Sequence, residues 1–150
     1  MTRTSAREIA VRLCFEMSAS DADAETILAQ QLDPEYFESL AEEDELYAEY
    51  PDAGQLAYIR TLVRGIGGHS AELDAYIAKY ATGWKFERIS RTALAIMKTA
   101  MYEVLYMPDV PDSAAINEAV ELAKKYEEPE TVPFINGVLG TFHRTEAVLL

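Results

Sequence analysis

Apolar residues recur at helical spacing along most of the chain, and no stretch sustains the period-two alternation of a half-buried strand. Ile9, Ala10, Leu13, Cys14 and Met17 fall on one face of a first helix, with Ser5 and Glu8 spaced as a capping box ahead of them. Ser20 through Leu32 predicts a second helix with Ile27, Leu28 and Leu32 inward, stopped by Asp33-Pro34. The segment "EYFESLAEEDELYAEYPD" then reads as an acidic, partly helical and mostly solvated connection. In "GQLAYIRTLVRGIGGHSAELDAYIAKYA" the helical pattern continues on both sides of Gly65, Gly67 and Gly68. Each glycine costs up to about 1 kcal/mol in a helix interior, so a kink or break is expected there, with Ser70 capping the helix after it. "FERISRTALAIMKTAMYEVLYM" is the strongest helix and ends before Pro108 and Pro111; "SAAINEAVELAKKYEE", with Ser113 as N-cap, and "PFINGVLGTFH" complete the set. The expectation is an all-α fold of about seven helices joined by short loops.

Helical projection singles out several surfaces. Phe134, Ile135, Val138, Leu139 and Phe142 form one broad apolar face, while Pro133, Gly137 and Gly140 lie behind it. A back face without side-chain bulk predicts that a second element approaches closely there. Asn136 flanks the apolar arc, placed to hydrogen-bond either neighbouring backbone or an external ligand. On the strongest helix Ile89, Ala93, Ile96, Met97, Ala100, Met101 and Val104 face inward, opposite a stripe of Arg91, Ala95, Lys98, Tyr102 and Tyr106. Interleaved cations and aromatics suit a nucleic-acid or protein contact, and equally a solvated face whose tyrosines cover neighbours. On the first helix Arg7, Val11 and Phe15 follow i, i+4, i+8, with Arg12 nearby and Arg3 upstream. Phe15 beside those arginines is either a stacking site or a packing residue.

Charge and cysteine narrow the classes. The formal net charge is -13, yet from Leu13 to Ile59 there are 13 acidic residues and no Lys or Arg, so the remaining 13 acids face all 13 basic residues. That balance leaves room for a local basic patch despite the acidic total. Cys14 lies within an apolar helical pattern without a second cysteine, which excludes a disulfide framework and a thiolate metal site and predicts a buried structural residue. No run of about 18 apolar residues would span a membrane, and the N-terminus lacks a continuous apolar signal region, so a soluble cytoplasmic protein is expected. His69 and His143 have no Glu three residues before them, "AEEDELYAEY" lacks calcium-loop spacing, and "RGIGGHS" matches no phosphate-binding loop. Neither a catalytic constellation nor a cofactor or metal site is legible.

The segments "SAREIAVRLCFEM", "LVRGIGGHSAELDAYI", "WKFERISRTALAIMKTAMYEVLYMPDVPDSAAINEAVELAKKY" and "FINGVLG" resemble, in order and spacing, the bacterial transcription antitermination family NusB. The most specific pieces are Tyr102-Glu103 with Leu105 followed by Asp109 to Pro111, Ile116 to Lys124, and Phe134 to Leu139. The resemblance implies an N-terminal three-helix unit packed on a C-terminal helical bundle, with subdomains of roughly 1–80 and 81–150. It also implies a non-enzymatic protein that binds boxA-type RNA of ribosomal RNA leaders with the small-subunit ribosomal protein NusE. Through that assembly it would reach the RNA polymerase elongation complex, and some members of the family homodimerise.

Carried onto this chain, the RNA contacts fall on Arg3 and Arg7 and around Glu130 and Phe134. Arg12, Phe15 and Asn136 are added as RNA-facing candidates from their positions. Glu87, Arg91, Lys98, Tyr102 and Tyr106 become the candidate ribosomal-protein surface. The thin N-terminal basic cluster, the long acidic connection over 33–52 and a C-terminus "TEAVLL" without a basic tail depart from the family pattern and predict weak RNA binding by the isolated protein. A protein-only adaptor or homodimeric module on the same scaffold is the alternative.

Overall fold

A computed structural model describes residues 1–147; residues 148–150, the end of "TEAVLL", lie outside the described residues. Eight α-helices and two 3₁₀ turns make up the described chain, with no strand among them. The fold is all-α. Two compact units divide between Gly68 and His69.

The first unit contains α1 (Arg3–Ala19), α2 (Ala24–Gln31), α3 (Pro34–Ser39) and α4 (Ala53–Gly68), with a 3₁₀ turn at Glu45–Tyr47. Helix α1 packs on α4 and α2, and α2 also packs on α4. Every residue of α1 from Ala6 to Val11 is buried, along with Leu13 and Cys14, so this helix is enclosed on more faces than a single apolar stripe would require. Ile59, Leu62 and Val63 of α4 are fully buried. Each such aliphatic side chain contributes on the order of 1.5–3 kcal/mol by leaving water.

Helix starts differ from the sequence expectation, each for a local reason. Thr2, not Ser5, caps α1: its hydroxyl accepts from the Ser5 N–H at 3.1 Å, while Glu8 is drawn into the buried set. Helix α2 begins at Ala24 because Asp23 accepts the Thr26 N–H. Asp33-Pro34 ends one helix and opens the next, since Asp33 accepts the Tyr36 N–H and Pro34 occupies the first turn, where its missing N–H costs nothing. The first unit therefore has four α-helices rather than three. The acidic connection is also more than a solvated loop. Phe37 is 1% exposed, with the Tyr47 and Tyr50 rings edge-on at 4.9 and 5.1 Å.

The second unit contains α5 (Ser70–Tyr80), α6 (Arg91–Tyr106), α7 (Asp112–Tyr126) and α8 (Thr131–Glu146), with a 3₁₀ turn at Phe86–Arg88. Helix α4 runs on to Gly68 and the break falls at His69. Ser70 is already helical and accepts from Lys98 Nζ at 3.1 Å, so it serves α6 instead of capping α5. Helix α5 packs on α6 and α8, which is why the division lies near residue 68 and not near 80. Ser90 caps α6 by accepting the Ala93 N–H, whereas α7 starts at Asp112 with Pro111 at its N-cap, two residues too early for Ser113 to cap it. The inward set on α6, from Ala93 through Val104, is buried as its periodicity requires.

On α8 the apolar face is buried at Ile135, Val138, Leu139 and Phe142. Its glycine side is not covered. A Cβ at Gly137 would meet nothing within 4 Å, and one at Gly140 would meet only the flexible guanidinium of Arg144. The expected close approach does not occur there among the described residues. It occurs at Gly67, where a Cβ would sit 3.4 Å from Met17 Sδ and 3.6 Å from Ala24 Cβ. No helix of the described residues is long and apolar enough to cross a membrane.

Candidate nucleic-acid interface

In the first unit the arginines of α1 are held against aromatic rings. Arg3 lies with its guanidinium carbon 4.0 Å from the Tyr58 ring centre and Arg7 lies 5.6 Å from the same ring. Tyr58 is buried and so is Arg7, at 4% exposure, which leaves Arg3 as the exposed cation of the pair. Arg7 is thus held against the Tyr58 ring rather than presented to solvent. The arrangement follows from α1 packing on α4, which carries Tyr58.

Arg12 is engaged by the acidic connection. Its guanidinium lies 2.7 Å from Asp44 and 3.4 Å from Glu8, and 5.5 Å from the Tyr47 ring centre. The N-terminal ammonium pairs with Glu49 at 2.8 Å. Residues 44 to 49 therefore set two carboxylates against cations of α1 and the chain start. Phe15 is half-buried and makes no ring contact among the described residues.

In the second unit Glu130, Phe134 and Asn136 follow one another along the first turns of α8. Glu130 is exposed and does not cap the helix, and Asn136 is exposed with no hydrogen-bond partner for its amide among the described residues. Phe134 stacks on Trp84, with ring centres 4.3 Å apart and planes tilted by 34°.

The stripe on α6 is divided. Ala95 is buried; Lys98 is held 2.6 Å from Asp74 and bonded to Ser70, so it faces α5. Tyr102 and Tyr106 cluster with His69, and the Tyr106 hydroxyl donates to Glu72 at 2.8 Å. That hydrogen bond to a carboxylate, more than burial, pushes the Tyr106 hydroxyl up to about 12. Arg91 and Glu87 are exposed and make no ion pair among the described residues, and Tyr106 is 41% exposed. Among the described residues no three acidic, histidine or cysteine side chains are grouped to hold a metal ion.

A family model described as the NusB family matches residues 4–144. The chain belongs to the NusB family. A transcription antitermination protein NusB from Symbiobacterium thermophilum is 39% identical over 148 residues, covering 96% of this chain and 90% of that protein. The protein of the same name from Clostridium novyi is 36% identical, covering 93% of this chain and 96% of its own length. Among solved structures, T. maritima NusB matches with a TM-score of 0.79 at 26% identity, over 100% of this chain and 99% of its own. The NusB resemblance read from the motifs and the all-helical fold agree with these findings.

Three participants escaped sequence reasoning. Tyr58 reads as a core position of α4 by periodicity, and only packing reveals the guanidinium stack on its ring. Asp44 sits in a run of acids where nothing distinguishes the carboxylate that meets Arg12. Trp84, the single tryptophan, did carry a signal: it follows Gly83 in a short polar connection, an exposed place for so large an apolar residue.

Proposed function

We propose that this NusB-family chain is a non-enzymatic transcription antitermination factor that binds boxA-type RNA in ribosomal RNA leader transcripts together with the small-subunit ribosomal protein NusE. Through that assembly it acts on the RNA polymerase elongation complex in the cytoplasm. The family match over residues 4–144, with relatives named transcription antitermination proteins, is the observation that carries this reading. Arg3, held with Arg7 against Tyr58, supplies one RNA contact, and Glu130, Phe134 and Asn136 mark a second on α8. Glu87, Arg91 and Tyr106 form the accessible part of the ribosomal-protein surface, with Lys98 and Tyr102 setting its shape from within.

Arg12 is held by Asp44 and Arg7 is buried, so few cations of α1 are free to neutralise phosphate. This favours weak RNA binding by the isolated protein and gives a protein-only adaptor or homodimer its best support. Fluorescence anisotropy with boxA-type and scrambled RNA, with and without NusE across a salt series, separates the two. Selective RNA binding that tightens with the partner, and weakens when Arg3→Ala is introduced, supports the antitermination reading. Partner binding without any gain in RNA selectivity would replace it with the adaptor.

A further inference from the structure

At least five of the chain's 13 Lys and Arg side chains are ion-paired in the fold. Arg12, Arg64, Lys79, Lys98 and Lys124 each lie within ion-pair distance of a carboxylate. The segment 84–91, "WKFERISR", is different: Lys85, Arg88 and Arg91 are exposed and have no ion-pair partner among the described residues, against Glu87 within the segment and Glu127, whose carboxylate accepts from the Ser90 hydroxyl at 2.6 Å. In a chain of net charge -13, three unneutralised cations within seven residues form a local positive feature that the total charge conceals.

The same segment opens with an aromatic ring held out to solvent. Trp84 is 45% exposed. Its N–H donates to the Ala81 carbonyl at 3.1 Å, closing a turn in which Gly83 has φ +82°, a left-handed conformation that residues with a Cβ rarely adopt. Phe134 lies against the indole at 4.3 Å, which supports the ring without enclosing it. A ring fixed by its turn and by a second ring, yet left partly open to water, has already lost the side-chain entropy that stacking a planar partner would cost. Every nucleobase has such a π-face, and backbone phosphates suit the adjacent unpaired cations.

We infer that Trp84, supported by Phe134 and flanked by Lys85 and Arg88, is a base-stacking platform for single-stranded RNA. This rests on the RNA-binding reading above and extends it from α8 to the connection ahead of α6. Charge favours RNA over an apolar protein segment, since such a partner would leave the neighbouring cations without counter-charge.

Trp84 is the only tryptophan, so the site reports on itself. The protein labelled with 5-fluorotryptophan is titrated with boxA-type RNA and a scrambled control, alone and with the ribosomal partner, while anisotropy of labelled RNA gives affinity independently. The platform predicts a shifted and broadened fluorine resonance that saturates with the anisotropy curve. Trp84→Ala should weaken binding about tenfold or more, and Trp84→Phe should restore most of it. The Lys85→Ala and Arg88→Ala double variant should reduce the salt slope by up to about 1.4, roughly 0.7 for each lost phosphate contact.

RNA binding that leaves the resonance and the Trp84→Ala affinity unchanged overturns the platform while sparing the RNA-binding function. A resonance that responds to the ribosomal protein alone, with no further change on adding RNA, also overturns it by giving this face to protein. Absence of RNA binding even with the partner overturns both readings. Should Trp84→Ala fail to fold by circular dichroism, the fluorine titration of the wild-type protein and the Lys85–Arg88 variant decide the matter without it.

Discussion

Phe37→Ala tests whether the acidic connection is a docked part of the first unit. Phe37 is 1% exposed and takes Tyr47 edge-on at 4.9 Å and 71° and Tyr50 at 5.1 Å and 79°. Truncating a fully buried phenylalanine costs about 3–5 kcal/mol through lost transfer energy and the cavity left behind. Tyr50 is 37% exposed, so the rim can close over part of the cavity, which places the expected loss near the lower end, about 3 kcal/mol. Urea denaturation followed by circular dichroism measures that loss, and amide exchange over residues 34–50 localises it, which matters because two units need not unfold together. A loss below about 1 kcal/mol with unchanged exchange would refute the reasoning and return the segment to a solvated loop. The outcome bears on function because the segment carries Asp44, 2.7 Å from Arg12.

Asp44→Asn removes the 2.7 Å carboxylate contact to Arg12 and should tighten RNA binding at low salt while steepening its salt dependence by up to about 0.7; an unchanged slope in the NusE complex would place Arg12 outside the RNA surface. Gly137→Ala should stabilise the protein by roughly 0.5–1 kcal/mol, since the new Cβ meets nothing and the helix loses an entropic cost; a destabilisation in thermal melts would mean that the back of α8 is covered. Glu146 accepts from the Tyr80 hydroxyl and lies 2.9 Å from Lys79, which hold its carboxyl below the ordinary value. Its contribution to stability is therefore full above the ordinary carboxyl range and lost as pH falls through the lowered pKa. Glu146→Gln should accordingly lower stability at neutral pH and flatten its decline on acidification, and an unchanged pH profile would remove Glu146 from the account.

Much of the architecture was legible because helical periodicity is a local property. Ala93, Ile96, Met97, Ala100, Met101 and Val104 are buried where their spacing puts them, and so are Ile135, Val138, Leu139 and Phe142. Family membership was legible for a related reason: motifs such as Ile116 to Lys124 are contiguous in the chain and need no folding to be read. Helix starts were less secure, because Thr2, Asp23 and Asp33 competed with nearby residues of similar capping ability and backbone geometry chose between them.

Only the tertiary structure decided which side of each residue meets protein. By itself the sequence established an all-helical chain of the NusB type, the inward faces of its longest helices and the concentration of acid between Leu13 and Ile59. It could not say that Arg7 would be buried beside Tyr58, that Lys98 would be taken by Asp74, or that no other element among the described residues would cover Gly137 on α8. Periodicity records the angle of a side chain about its own helix axis, whereas exposure and ion pairing depend on what other segments bring to that angle. Arg12 and Asp44 are 32 residues apart in sequence, and Trp84 and Phe134 are 50 apart. Their pairing is a product of packing, and the candidate RNA surface is defined by the groups that packing leaves free.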